Sequence, residues 1–321
     1  MFVFRSPLLA ACLLALAAHS APVHAQQARS FVSGLGNDAN APNCVRTAPC
    51  RTFQVAHDNT LANGEVTVLD PGSYGGVTID RNISIINDGV GEAGALVSGG
   101  VNGITINAPV DAAVTLRGLT IKGIGFGGGN GIVFNTGAFL SIENCVIRNL
   151  TGSSGTTGHG MIFSPQAASL LAVSDTVITD NAGHGVSVVP VGTGTIQATF
   201  NRVQTYHNGG WGIIASDGFR PIGQIFTVVE STVSAYNLTG GFALDAPAQH
   251  GPVFMTVTRS VSAGNSTGFF SGVSGVVSVG QSNVTGNTTT WAGQVQSFLD
   301  NYVVENIDGD PAAPLGSVLK K

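Results

Sequence analysis

Short runs in which apolar residues alternate with small or polar ones recur along the chain, each opened by a glycine. GITIN at 103, GIVFN at 131, GMIFS at 160, GVSVV at 185, GIIAS at 212 and GFALD at 241 follow one another at intervals of 25 to 29 residues. A second series runs out of phase with the first: Val146, Val177, Val203, Val233, Val261 and Val284. These valines sit in IENCVIRN, VSDTVITDN, FNRVQTYHN, VESTVSAYN, VTRSVSAGN and QSNVTGN. Each repeat thus reads as two or three short strands with no helical periodicity. So small a unit cannot bury its own apolar face and must stack on its neighbours. Stacked coils of short strands make a parallel β-helix of three-sheet coils, with equivalent positions about 4.8 Å apart from coil to coil. Three turns per coil account for the density of Gly and Asn, which tolerate the left-handed backbone at corners. Val177, Val233 and Val261 are expected to face the core on successive coils.

Four residues after the valines come Asn181, His207, Asn237 and Asn265, with Asn149 and Asn287 one residue early. That column predicts an asparagine ladder, with amides bonding up and down the stack. The glycosylation sequons at Asn149, Asn237 and Asn265 are then by-products of the ladder. Tyr206 and Tyr236 share the position before the ladder and predict an aromatic stack. The residue preceding each strand glycine is Asn130, His159, His184, Trp211 and Gly240 in turn. The His159–His184–Trp211 column spans two coil steps, about 10 Å. Its sequence leaves open whether it faces outward or stacks inward.

The start of the chain differs. RTFQVAHDNTLANG, residues 51–64, is the one plausible helix, with Phe53, Ala56 and Leu61 on one side. A helix laid across the open end of the solenoid would cover exposed core and unpaired strand edges. Residues 1–25 read as a secretory signal: Arg5, an apolar run from Leu8 to Ala18, and a small-residue cleavage site at Val23-His24-Ala25. The run is too short to span a bilayer. Leu9-Ala10-Ala11-Cys12 offers a rival reading as a lipoprotein box. The expected organisation is a signal peptide at 1–25, an N-terminal segment with capping helix at 26–65, a parallel β-helix at 66–306 and a tail at 307–321.

Charge and cysteine content narrow the partners. Lys and Arg number 13 against 18 Asp and Glu, charged residues are 10% of the chain, and no basic run occurs. Nucleic acid and anionic membrane surfaces are therefore excluded as partners, and no membrane insertion is expected. Cys44 and Cys50 are close enough to pair in an oxidising compartment, which leaves Cys145 as a buried, inert thiol. A monomer without cofactor or metal is expected, secreted or periplasmic.

FVSGLGNDAN, APCRTFQVAHD and GEVTVLDPGSYGGVTI resemble the opening segment of secreted right-handed β-helix repeat proteins of the pectin-lyase-like superfamily. SFLDNYVVENIDGDPAAP is similar to the end of uncharacterised bacterial members. The resemblance covers nearly all of the mature chain and implies an all-β fold: a single-stranded right-handed parallel β-helix with a short N-terminal capping helix. It implies no one activity, because the superfamily includes polysaccharide lyases, hydrolases and epimerases beside non-catalytic adhesins and tail spikes.

Gly183-His184-Gly185 resembles the tripeptide at polygalacturonase active sites, yet the acidic partners of that site are missing. Glycoside hydrolysis needs two carboxylates, and no Asp-Asp pair, N-T-D or R-I-K segment occurs here. Pectate lyases gather acidic residues on successive coils for Ca²⁺ and use an arginine as base. Phe219-Arg220-Pro221 matches only part of their R-x-P-x-x-R segment. The epimerase-like D-P-H-D is absent, and DGD at 308–310 reads as a solvated turn. The remaining candidates for a ligand site are His184, Trp211, Asp217, Arg220, Asp245 and His250, on neighbouring coils. The leading expectation is a non-catalytic carbohydrate-binding or cell-surface-associated solenoid. A lyase-like enzyme acting on an acidic glycan through Asp217 and Arg220 is the alternative, and a structural spacer the third.

Overall fold

The computed structural model describes residues 26–125, 128–152, 156–218, 223–246 and 251–318. The expected signal segment, with Arg5 and Cys12, lies outside the described residues. Among the described residues, thirty short strands form three all-parallel sheets of eleven, nine and ten strands, each coil giving one strand to each sheet in turn. The chain folds as a right-handed parallel β-helix.

The first glycine series is the nine-stranded sheet. Ile104, Ile132, Met161, Val186, Ile213, Phe242, Phe269 and Trp291 stack in one register column. All of them are buried, as is Phe134, whose ring stacks on Phe163 at 4.5 Å. Each glycine therefore marks the corner just before the first inward side chain.

The second series aligns differently. In the ten-stranded sheet the register column is Val146, Val177, Gln204, Val233, Val261 and Asn283, so Val203 and Val284 are each one residue out of place. The column also faces outward, and Val233 is 37% exposed. The core side is carried by Ile147, Ile178, Thr205, Ser234, Ser262 and Val284, all fully buried. These strands are only three residues long, with one inward position between two outward ones. Valine suits both faces of a pleated strand, so apolarity did not report the face. The buried hydroxyls are satisfied within the stack: Thr205 donates to Ser234 Oγ at 3.0 Å, and Ser234 to the Gly241 carbonyl at 3.0 Å.

The asparagine ladder is present and continuous. Nδ2 of Asn181 donates to Oδ1 of Asn208, and the same bond repeats to Asn237, Asn265, Asn287 and Asn306, at 2.9–3.1 Å. Asn208 carries the rung expected of His207, and Leu150 stands where Asn149 was expected, its N–H bonding Asn181 Oδ1 at 3.1 Å. Asn149, Asp180, His207 and Tyr236 occupy the preceding corner, with φ of 52–59°. His207 also separates the two tyrosines, its ring 5.7 Å from Tyr206 and 5.6 Å from Tyr236, so the expected direct stack does not form. The sequon asparagines Asn237 and Asn265 are buried in the ladder.

At the N-terminal end the helix is Phe53–Asp58, shorter than the expected span. Thr52 caps it by accepting from Val55 N–H, and Asp38 in turn accepts from the Arg51 and Thr52 amides. From Thr60 the chain is strand, paired with Gln27–Val32, and this pairing replaces the second half of the helix. Phe53 and Ala56 enter the core, whereas Leu61 is exposed. Cys44 and Cys50 are disulfide-bonded. Cys145 is free and buried, and burial pushes its thiol up to about 11. The tail folds back on the last coils: Trp291 Nε1–H donates to the Pro311 carbonyl at 2.8 Å, and Asp308 accepts from the Thr290 amide at 2.7 Å. Asp310 accepts from Asn306 at 2.8 Å. DGD is thus a solvent-exposed turn, as expected, and one anchored to the last coils by these bonds.

Candidate functional site

The residues before the strand glycines form a second polar column. The backbone N–H of Asn130 donates to Asn102 Oδ1 at 3.1 Å, and that of His159 to Asn130 Oδ1 at 3.0 Å. His184 N–H then donates to His159 Nδ1 at 3.0 Å, and Trp211 N–H to His184 Nδ1 at 2.9 Å. Each side chain accepts the amide of the next coil, and asparagine and histidine are interchangeable for that task. The imidazole rings lie 5.0 Å apart, inclined at 33°.

The rings of this column explain the glycines at 183, 210 and 240, each one coil beyond the ring it faces. A Cβ on Gly183 would stand 2.7 Å from His159 Nδ1, one on Gly210 2.2 Å from His184 Nδ1, and one on Gly240 2.0 Å from the Trp211 ring. Only glycine leaves room for the ring of the coil before. Gly183-His184-Gly185 is therefore explained by packing without any catalytic role. With Nδ1 accepting, each neutral ring carries its proton on Nε2.

Protonation would turn each Nδ1 into a donor facing a donor. Burial lowers the His159 pKa, and burial with the neighbouring His159 lowers that of His184 to about 4. An unfolded histidine titrates near ~6.5. Between these values the unfolded chain binds protons that the folded chain refuses, so stability falls as pH drops from about 6.5 towards 4. We expect a loss of order 2 kcal/mol over that window. The His159→Asn/His184→Asn double variant keeps an acceptor on each coil and should flatten the profile in thermal melts at stepped pH. A wild-type profile as flat as the variant's would show that the rings are not locked as acceptors. The carboxylates held low by hydrogen bonds or arginine, such as Asp70 and Asp175, lose their contribution only below this window.

The histidine column forms one wall of a cleft of about 240 Å³ on the outer face of the nine-stranded sheet. Its floor is the outward row Ile162, Ser187 and Ile214, and Ser216 and Asp245 close the far side. Trp211 pairs with Gly240 and Ser216 with Asp245, so five residues of strand, about 17 Å, separate the tryptophan edge from the carboxylate edge. The half-buried Trp211 indole lies across Gly240, 5.8 Å from the ring of Phe270. The column thus borders the outer surface, although His159 itself is buried.

The sequence candidates divide. His184 and Asp245 line the same cleft, and Trp211 is bonded to His184 at its edge. Asp217 is fully buried and does not line the cleft, its amide donating to the Asp245 carbonyl at 3.3 Å. Alternation is the reason: Ser216, not Asp217, is opposite Asp245, so the two carboxylates point to opposite faces. Arg220 and His250 lie outside the described residues. Ser187, Ile214 and Ser216 were missed as lining residues, though their strand phase is readable from the glycines. Among the described residues no group of three or more His, Cys, Asp or Glu is placed to hold a metal ion.

No family model matches the chain, and no curated protein matches it. Among solved structures, pectate lyase Pel9A is similar with a TM-score of 0.56 at 13% identity, over 84% of this chain and 74% of that one. The likeness is one of fold, the parallel β-helix. The A-module of mannuronan C-5 epimerase AlgE6 from Azotobacter vinelandii overlaps with a TM-score of 0.43 at 16% identity, over 79% of this chain and 89% of that one.

Proposed function

We propose that the protein is an exported, non-catalytic carbohydrate-binding β-helix whose ligand lies in the cleft between His184 and Asp245. One observation carries the reading. The cleft joins two imidazoles committed to the neutral state, serine hydroxyls and one carboxylate, with the half-buried Trp211 next in the column beyond His184, and these groups suit the faces and hydroxyls of sugar rings. The same commitment argues against acid–base work, because a histidine whose Nδ1 is spent on the next coil and whose pKa is near 4 is a poor proton shuttle at neutral pH. Export is supported by the signal-like residues 1–25 and by the Cys44–Cys50 bond. No helix among the described residues is long and apolar enough to cross a membrane.

The alternative, a lyase-like enzyme on an acidic glycan, is favoured by the fold likeness to a pectate lyase. One screen separates the two. The purified protein is titrated with neutral and acidic polysaccharides, and each mixture is assayed for reducing ends and for unsaturated products. Binding without products, weakened about tenfold or more by Trp211→Ala or Asp245→Ala, is the expected result. Product release from any polymer would replace this reading with the enzyme, and a protein that binds no polymer would leave the spacer.

A further inference from the structure

Five arginines among the described residues pair closely with a carboxylate, four of them across to a neighbouring strand or coil and Arg81 with Asp80 beside it. Arg29, Arg81, Arg117 and Arg202 each reach a carboxylate within 2.6–2.9 Å, and Arg259 is paired with Glu230. Lys122 and Arg148 are placed differently, side by side on one face. They are direct register partners on adjacent strands of the ten-stranded sheet, so the backbones of two cationic residues of like charge stand about 4.8 Å apart along the solenoid. Among the described residues Lys122 makes no ion pair, and Arg148 reaches only Glu92, at 3.9 Å. Arg148 Nε is buried without a hydrogen-bond partner. A guanidinium donor left unsatisfied is costly, and so is the repulsion between adjacent cations.

Lys122 is also the shared wall of two clefts on this face. One, of about 380 Å³, is bounded by Ser73, Glu92, Leu96 and Thr120. The other, of about 520 Å³, is bounded by Asn149, Thr151 and Asp180. The register column continues from Arg148 to Thr179 and Tyr206. Two cations, a threonine and an aromatic residue thus follow one another at coil spacing on an outer face that the His184 cleft does not use.

We propose that this column is a second binding site, for an anionic glycan lying along the solenoid axis, with one carboxylate or sulfate group bridging Lys122 and Arg148. The bridging anion gives Lys122 an ion-pair partner, gives the exposed end of the Arg148 guanidinium a second one beside Glu92, and cancels the repulsion between the two cations. Tyr206 lies three coil steps, about 14 Å, from Lys122 and gives a further sugar ring an aromatic face. The site rests on the glycan-binding reading for its ligand class but shares no residue with the first cleft, so the two fail separately.

The test measures binding of polygalacturonate, chondroitin sulfate and neutral dextran to wild type, the Lys122→Gln/Arg148→Gln double variant and Trp211→Ala. Expected is salt-sensitive binding of one or both acidic polymers, weakened about tenfold or more in the double variant, with dextran unaffected. Whether carboxylate or sulfate is preferred follows from which acidic polymer binds more tightly. A lysine-acylation footprint gives an independent reading, because the chain has only Lys122, Lys320 and Lys321. Bound polymer should protect Lys122 and leave the two terminal lysines reactive. Acidic polymers bound equally well by the double variant, or no binding of either, would overturn the proposal. Dextran binding lost only in Trp211→Ala, with no acidic binding, would overturn this site and keep the first. Loss of acidic binding in the double variant alone, with Trp211→Ala unchanged throughout, would keep this site and overturn the first.

Discussion

Asn237→Leu should cost the protein about 3–6 kcal/mol, enough to unfold much of it at ordinary temperature. Asn237 is buried in mid-ladder, where its Oδ1 accepts from the Asn208 amide at 3.2 Å and from Asn208 Nδ2 at 3.0 Å. Its Nδ2 donates to Asn265 Oδ1 and to the Thr205 carbonyl, each at 3.1 Å. Leucine is close in volume but offers none of these bonds, so polar atoms on both neighbouring coils would be stranded away from water. Each such group costs about 1–3 kcal/mol. Asn135→Ala, which removes one exposed bond to Asn107, is the control and should cost about 1 kcal/mol or less. Urea unfolding followed by circular dichroism reads both variants, and wild-type-like stability of Asn237→Leu would mean that the ladder is ornamental.

The second large effect separates two adjacent residues. Ser234 is fully buried on the inward face of its strand, while Val233 beside it is 37% exposed. Ser234→Asp places an unpaired charge in the stack and should cost several kcal/mol or prevent folding. Val233→Asp should cost about 1 kcal/mol or less, because its side chain is already in contact with water. Thermal melts decide the matter, and similar transitions for the two variants would contradict the face assignment.

Those two residues also mark where the sequence stopped being informative. The glycine series located the nine-stranded sheet because each glycine is forced by a close approach and the next residue always points inward. The valine series located strands but not their faces, since a three-residue strand shows too little alternation to fix its phase. The core positions there are Thr205, Ser234 and Ser262, which look like surface residues until their stacked hydroxyl bonds are known. At the candidate site, His184, Trp211 and Asp245 were legible as chemistry at repeat positions. The separation of Asp217 from Asp245 was also readable: counted from Gly212 and Gly241, the two carboxylates differ by one residue and so by one face. The reason for the glycine before His184 was not legible, because the ring that needs the space belongs to a residue 25 positions earlier.

The asparagine ladder has a direction. Every Nδ2 donates towards the C-terminal coil, so each rung hands an unmet donor to whatever follows. At Asn306 the receiver is Asp310, whose Oδ1 takes both the amide and the side-chain donor at 2.8 Å. A carboxylate accepts and passes nothing on. Asp310 therefore acts as a terminator in the sense of chain-growth polymerisation: it quenches the reactive end of a series that would otherwise recruit another monomer. Whole coils can be added or lost within the stack without changing that end, because every interior junction makes the same bond. Length is thus free to vary while the stop stays fixed, and end-to-end fibre growth through this column is blocked by four atoms of one side chain.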